Sequence, residues 1–164
     1  MKKNLFLVCL FMFGTLASCQ CSSKKSADNA VVNTTETPVP LGDPFILLHD
    51  GVYYAYGTHS NKGIEFYTSD DLLTWKYGGL ALNKEDSWAD RWFWAPEIYF
   101  VNGKFYMYYS ADEHICVAVA DSPTGPFVQD KKEPMIADEK CIDNSLFIDD
   151  NLSLIHISEP TRLR

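Results

Sequence analysis

The chain has 164 residues, enough for one domain of ordinary size, and 46% of them are hydrophobic. Its formal net charge is −8 at pH 7 and falls to −10 when the N-terminal Lys2 and Lys3 are left out. Phosphate binding needs a basic face, so this balance argues against a nucleic-acid partner and is compatible with a neutral sugar polymer.

Residues 1–18 have the parts of a bacterial secretory signal peptide. Lys2 and Lys3 precede the apolar run Leu5–Phe13, which is too short to span a bilayer. Small residues then lead to Cys19, as in a lipobox. We predict cleavage before Cys19 and a lipid anchor on it, which would hold a monomeric protein to the cell envelope, on the periplasmic or outer-membrane surface. The alternative is an ordinary signal peptide in which Cys19 has no role.

Residues 19–40 are rich in Ser, Lys, Asn, Thr and Pro and contain almost no large apolar side chain. Such a segment cannot bury a core, so it is predicted to be a flexible tether, with the folded domain over residues 41–151. That domain contains two cysteines, Cys116 and Cys141. They could form a disulfide in an oxidising compartment or remain buried free thiols, and both alternatives stay open.

The folded domain is predicted to be all-β, because no stretch has a sustained helical period. The first unit has strands at 45–48, 52–57, 64–69 and 75–80, with an Asp50-Gly51 hairpin turn. The second has strands at 97–101, 104–109 and 115–120, a short strand at Phe127 and an Asn102-Gly103 turn. A third unit starts at 142–148 and leads to a turn at Asp150-Asn151.

These units recur at a nearly constant spacing. Gly51 and Gly103 are 52 residues apart, and the turns at Asn102-Gly103 and Asp150-Asn151 are 48 apart. Four strands repeated about every 50 residues are typical of β-propeller blades. A β-sandwich is the alternative, since it too has short strands and regular turns. The Tyr-rich hairpins at fixed spacing favour a propeller, of which two blades and the start of a third are present.

The pattern breaks after Asn151, where a Tyr-rich strand should follow the turn. Residues 152–164 closely resemble the translation of sequencing-adapter DNA. We therefore predict that this tail is not native and that the natural protein continues beyond residue 151. The alternative is a genuine short terminal segment.

The repeat also relates two carboxylates. Applying the two spacings to Asp43 leads to Ala95 in the second unit and to Asp143 in the third. An aspartate at the start of a strand is usually a turn or capping residue. Two in the same register, just before the innermost strands that line a propeller channel, are expected to face one cavity.

Three motifs in this order resemble those of glycoside hydrolase family 43, at Leu41–Phe45, Trp94–Ile98 and Ile142–Asp150. The resemblance covers residues 41–151 and implies a five-bladed β-propeller that cleaves arabinose or xylose units from poly- or oligosaccharides with inversion. It implies that Asp43 is the general base and that Asp143 tunes the pKa of the general acid and orients it. The acid itself, a fourth-blade glutamate, has no counterpart in this sequence. No cofactor is required, although family members often hold a calcium ion in the channel.

Other side chains are candidates for contact with the sugar. The resemblance implies that Trp94 is a stacking platform, with Trp92 and Phe93 in the pocket wall; core packing is the alternative for Trp94. Glu97 follows Ala95 by two residues, so it should share its side of the strand and could bind a sugar hydroxyl. His59 is a further pocket candidate, with a purely structural role as the alternative.

Three functions are compatible with the sequence. The first is a glycosidase acting on arabinose- or xylose-containing plant polysaccharides, active only when complete. The second is a carbohydrate-binding propeller lipoprotein without catalysis. The third concerns the 164-residue polypeptide alone, which as an open ring with an unpaired edge is expected to be an inactive, misfolded fragment.

Overall fold

The computed structural model describes residues 38–148 and 154–160, the second range and Ile148 by their backbone alone. These residues form nine β-strands and one short 3₁₀ turn at Lys84–Asp86. The strands are β1 Gly42–His49, β2 Val52–Thr58, β3 Gly63–Ser69, β4 Lys76–Asn83, β5 Trp94–Val101, β6 Lys104–Ala111, β7 His114–Ala120, β8 Cys141–Ile148 and β9 Leu154–Pro160. The all-β prediction is confirmed.

The predicted signal peptide, the anchor on Cys19 and most of the tether lie outside the described residues and stay predictions. Within the described ranges, no helix is long and apolar enough to cross a membrane. Strand β9 falls inside the segment predicted to be non-native and pairs antiparallel with β8. The non-native origin of residues 152–164 therefore also stays a prediction.

The strands form three antiparallel sheets in chain order, which we call the first blade (β1–β4), the second blade (β5–β7) and the third blade (β8–β9). The innermost strands pack in succession, with β1 next to β5 and β5 next to β8. This arrangement confirms two propeller blades and the start of a third. In both complete hairpins the turn residues have positive φ, namely 48° and 79° at Asp50-Gly51 and 51° and 79° at Asn102-Gly103. Such angles are what a tight two-residue hairpin needs.

The short strand predicted at Phe127 is present only as isolated bridges. Phe127 does not extend the second blade by a regular fourth strand but makes isolated bridges, to Leu82 of the first blade and, through Val128, to Val119 of the second. The reason is that the Phe127 N–H donates to the Ala81 carbonyl at 2.8 Å, and the Phe127 ring is fully buried. The segment therefore joins two blades.

A single apolar core lies between the first two blades. Most of its large members alternate along the strands, and they come from both sheets, so the two blades bury their apolar side chains against each other. They are Tyr56, Ile64, Phe66, Leu82, Phe93, Ile98, Phe105, Met107, Tyr109 and Phe127. At one edge of this core, His49 of β1 packs edge-on against Phe100 and Phe105, with ring centroids 4.8 and 4.9 Å away.

The two cysteines of the folded domain do not form a disulfide. Cys116 and Cys141 are both buried free thiols. Burial raises the pKa of the Cys116 thiol to about 12, so the reactive thiolate is scarce at neutral pH.

Candidate active site

Each innermost strand begins with the same irregularity in its pairing. The register shifts between Gly42 and Phe45 in β1, between Trp94 and Glu97 in β5, and between Ile142 and Ser145 in β8. Inside these bulges, φ is 45° at Asp43, 41° at Ala95 and 56° at Asp143. These are the three positions that the sequence repeat relates. A bulge re-aims its side chain, so the backbone gives all three residues a common direction.

The three bulges meet around one cavity of about 350 Å³. Its lining comprises Asp43, Pro44, Phe45, Ala95, Pro96, Glu97, Asp143, Asn144 and Ser145. The structure therefore brings together three of the predicted site residues, Asp43, Glu97 and Asp143. A larger cavity of about 470 Å³ lies near the start of β2 and the end of β3, and it contains none of the predicted site residues.

Hydroxyl groups hold the two aspartate segments. Thr58 Oγ1 donates to Asp43 Oδ2 at 3.2 Å, and it accepts the Ala95 N–H at 3.1 Å. The Asp143 N–H in turn donates to Ser110 Oγ at 3.2 Å. Both aspartate side chains are exposed toward the cavity, whereas the hydroxyls stand behind them at the ends of β2 and β6.

Glu97 is half-buried and has a phenol as its partner. The Tyr99 hydroxyl donates to Glu97 Oε2 and accepts the N–H of Leu146, at 3.2 Å, from the third blade. Burial, followed by the hydrogen bond to Glu97, raises the pKa of Tyr99, so the phenol stays a neutral donor. Sequence reasoning missed Tyr99, Thr58 and Ser110. For Tyr99 a signal was available, since it follows Glu97 by two residues on the same strand.

The aromatic candidates separate into two groups. Trp92 and Trp94 stack on each other with centroids 5.8 Å apart and planes 11° from parallel, and the Arg91 guanidinium lies 4.4 Å from the Trp92 ring. Trp94 adjoins Ala95 but does not line the cavity. The role of its ring as a platform on which a sugar stacks therefore stays a prediction. The wall position predicted for Phe93 is wrong, because that ring is 2% exposed and packs on Tyr109 in the core.

His59 does not line the cavity either. Its Nδ1 lies 2.6 Å from Glu65 Oε2, and Tyr77 donates to the other oxygen of Glu65 at 3.1 Å. This pairing ties the loop after β2 to β3 and β4. A role for His59 in sugar binding stays a prediction.

No set of three His, Cys, Asp or Glu side chains that could hold a metal ion occurs among the residues that the structure describes. The calcium ion that the resemblance implies for the channel of a complete propeller therefore stays a prediction.

Comparisons with known proteins agree with this geometry. The model of the glycosyl hydrolases family 43 matches residues 35–158. An extracellular exo-α-(1→5)-L-arabinofuranosidase, ArbA of Cellvibrio japonicus, is 35% identical over 79 residues, covering 44% of this chain and 22% of that protein. Xylosidase/arabinosidase 43A of Humicola insolens is 39% identical over 139 residues, covering 70% of this chain and 42% of that protein. The solved endo-1,4-β-xylanase of Bacteroides thetaiotaomicron superposes with a TM-score of 0.66 at 48% identity, covering 70% of this chain and 41% of that one. The chain thus spans less than half the length of each of these relatives.

Proposed function

The chain belongs to glycosyl hydrolase family 43. We therefore propose that the protein hydrolyses glycosidic bonds of arabinose- or xylose-containing plant polysaccharides or oligosaccharides with inversion. The observation that carries the proposal is the convergence of the three inner-strand bulges, which place Asp43 and Asp143 at one cavity. The relatives named as arabinofuranosidase, xylosidase/arabinosidase and xylanase support the choice of sugars.

In the proposed reaction Asp43 is the general base. Its ionised carboxylate takes a proton from a water molecule as the water oxygen attacks the anomeric carbon. A general acid on the other side of the sugar protonates the leaving oxygen, so the bond breaks with inversion. The two carboxyl groups of such a pair lie about 6.5–9.5 Å apart, which leaves room for the water. Positions on different blades across a channel provide such a separation.

The roles of the remaining cavity residues follow from their places. Asp143, on the third blade, would hold the acid in its protonated state and orient it, because a neighbouring negative charge disfavours ionisation. Glu97, held by Tyr99, is left with one oxygen that can accept a sugar hydroxyl. The general acid is expected on a further blade of the full-length protein.

We further propose that the 164-residue chain alone is inactive. Ile46 and Leu48 on β1 are 50% and 57% exposed, and Phe147 on β8 is 56% exposed. Large apolar side chains in such positions normally face a partner, and further blades of the same propeller are the natural partners. For the full-length protein we also propose a lipid anchor on Cys19, a location at the cell envelope and a monomeric state. A calcium ion in the propeller channel is part of the same proposal.

The test is hydrolysis by the full-length protein. It should release nitrophenol from nitrophenyl α-L-arabinofuranoside or β-D-xyloside, or sugar from arabinan or xylan. The Asp43→Ala variant should lose roughly 10²- to 10⁴-fold in kcat/KM, the contribution typical of general acid–base catalysis. Asp138→Ala is the matched control, since Asp138 is exposed and does not line the cavity.

The stereochemistry gives a second readout. NMR spectra of the first product should show the inverted anomer. A retained anomer, or full activity of Asp43→Ala, would contradict the proposed mechanism. Sugar binding without turnover on any of these substrates would identify a non-catalytic carbohydrate-binding propeller instead.

A further inference from the structure

A hydroxyl side chain lies at or near the end of the second strand in each of the first two blades. Thr58 closes β2 and pairs with Gly42, and Ser110 lies near the end of β6 and pairs with Trp94. The two hydroxyl residues are 52 residues apart, the spacing of the blade repeat. Each accepts an N–H from the bulge of the following blade, Thr58 from Ala95 at 3.1 Å and Ser110 from Asp143 at 3.2 Å. The hydroxyls therefore form a repeated link between blades.

Only the first of these links also reaches a carboxylate. Thr58 donates its proton to Asp43 Oδ2 at 3.2 Å, whereas the position that Asp43 occupies in the first blade is filled by Ala95 in the second. A hydroxyl has one proton and two acceptor sites. Because the Ala95 N–H occupies one acceptor site of Thr58, the hydroxyl proton is free to point at Asp43.

We propose that Thr58 is the positioning residue of Asp43, an inference that rests on the proposed function. Asp43 is exposed in its bulge, so packing does not restrain its carboxylate. The Thr58 hydroxyl holds Oδ2, which leaves Oδ1 to take the proton from the attacking water. The same hydroxyl is attached to the backbone of the second blade, so the position of the base depends on the contact between blades.

The test compares two substitutions in the full-length protein. Thr58→Val keeps the shape of the side chain and removes the hydroxyl, whereas Thr58→Ser keeps the hydroxyl. Thr58→Val should lower kcat about tenfold with KM changed by less than about twofold, because a misplaced base affects the transition state more than substrate binding. Thr58→Ser should retain kcat within about twofold.

A control and a cycle separate positioning from stability. Ser110→Ala removes the equivalent link between blades without removing a hydrogen bond from a carboxylate, so it should lower the free energy of unfolding by about as much as Thr58→Val does and serves as the stability control. In an Asp43→Ala background, Thr58→Val should cause no further loss of the residual rate. A kcat of Thr58→Val equal to that of the wild type, equal losses for Thr58→Ser and Thr58→Val, or additive losses in the cycle would overturn the proposal.

Crystal structures of the two Thr58 variants provide a readout that does not depend on turnover. The Asp43 carboxylate should keep its orientation in Thr58→Ser and lose it in Thr58→Val. An unchanged Asp43 in Thr58→Val would overturn the positioning role even if the protein proved inactive. Inactivity of the wild type would instead count against the proposed function.

Discussion

The inner strands of the first and second blades start with the same backbone and carry different chemistry. Asp43 and Ala95 have φ values of 45° and 41°, both precede a proline, and both lie in a bulge. Aspartate enters the left-handed region more readily than alanine, whose Cβ is strained there. The second blade nevertheless keeps the conformation without a carboxylate. The bulge therefore belongs to the fold, where its N–H joins neighbouring blades, and the carboxylate is an addition that only some blades carry.

The outer edges of the same two blades differ in their backbone, whereas the inner strands share theirs. The first blade has a fourth strand, β4, which pairs with Gly63 at the start of β3. The second blade has three strands among the described residues, and its third begins at His114. The start of β7 is instead approached by residues outside the second blade's strands, since the Met135 N–H donates to the Ile115 carbonyl at 2.8 Å and the Cys141 N–H to the Glu113 carbonyl at 3.0 Å. We infer that the close approach of β4 requires glycine at position 63.

The largest loss of stability is expected when Gly63, which pairs with β4, receives a side chain. Its φ is +142°, and a Cβ there would lie 1.9 Å from the Leu82 carbonyl oxygen. Gly63→Ala should therefore lower the free energy of unfolding by roughly 3 kcal/mol or more, measured by urea denaturation. Gly79 is the matched control, since its φ is +109° but nothing lies within 4 Å of the added Cβ. Gly79→Ala should cost only about 1–2 kcal/mol. Equal losses at the two glycines would contradict this requirement for glycine at position 63.

An intermediate effect is expected in the third blade, where Asn144 takes the place that Pro44 and Pro96 have in the other bulges. Asn144 is 4% exposed, and neither its Nδ2 nor its Oδ1 has a hydrogen-bond partner among the described residues. Asn144→Pro should raise the free energy of unfolding by roughly 1–2 kcal/mol, by removing a buried unpaired amide and stiffening the unfolded chain.

The reverse substitution at the second blade checks the same argument. Pro96 is buried, so Pro96→Asn should lower stability by a comparable amount. Both variants can be followed by thermal unfolding under identical conditions. A loss of stability in Asn144→Pro would show that the third bulge needs the asparagine, and the parallel between the three bulges would then fail.

The smallest expected effect concerns Ala95 itself. Ala95→Gly relieves a strained Cβ, worth about 1–2 kcal/mol, and gives back about 0.5–1 kcal/mol in chain entropy. The net gain should be about 0.5–1 kcal/mol in the free energy of unfolding. Ala118→Gly, in the buried middle of β7, should instead lose about 1 kcal/mol. A loss at both sites would mean that the bulge is not strained at Ala95.

The repeat, and the positions in successive blades that it relates, could be predicted from local patterns in the chain. Asp-Gly and Asn-Gly turns are local signals, because the required positive φ depends on two adjacent residues, and their spacing of 52 residues relates Asp43 to Ala95. The strand patterns were enough to predict the all-β fold, the repeat placed Asp43 and Asp143 at equivalent positions, and the motifs around them predicted the family.

The groups that hold those aspartate segments could not be predicted, because they come together only when the chain folds. Thr58, the partner of Asp43, is 15 residues away in the chain, and Ser110, the partner of the Asp143 N–H, is 33 away. A hydroxyl group can also bond to many groups near it in the sequence, so the sequence does not show which partner it has. The positions of Phe93 and Phe127 were likewise set by tertiary packing, because Phe93 packs on Tyr109 and Phe127 bridges to the first blade. A bulge adds one residue to a strand and reverses the faces beyond it, so alternation alone could not tell which side chains point into the cavity and which into the core.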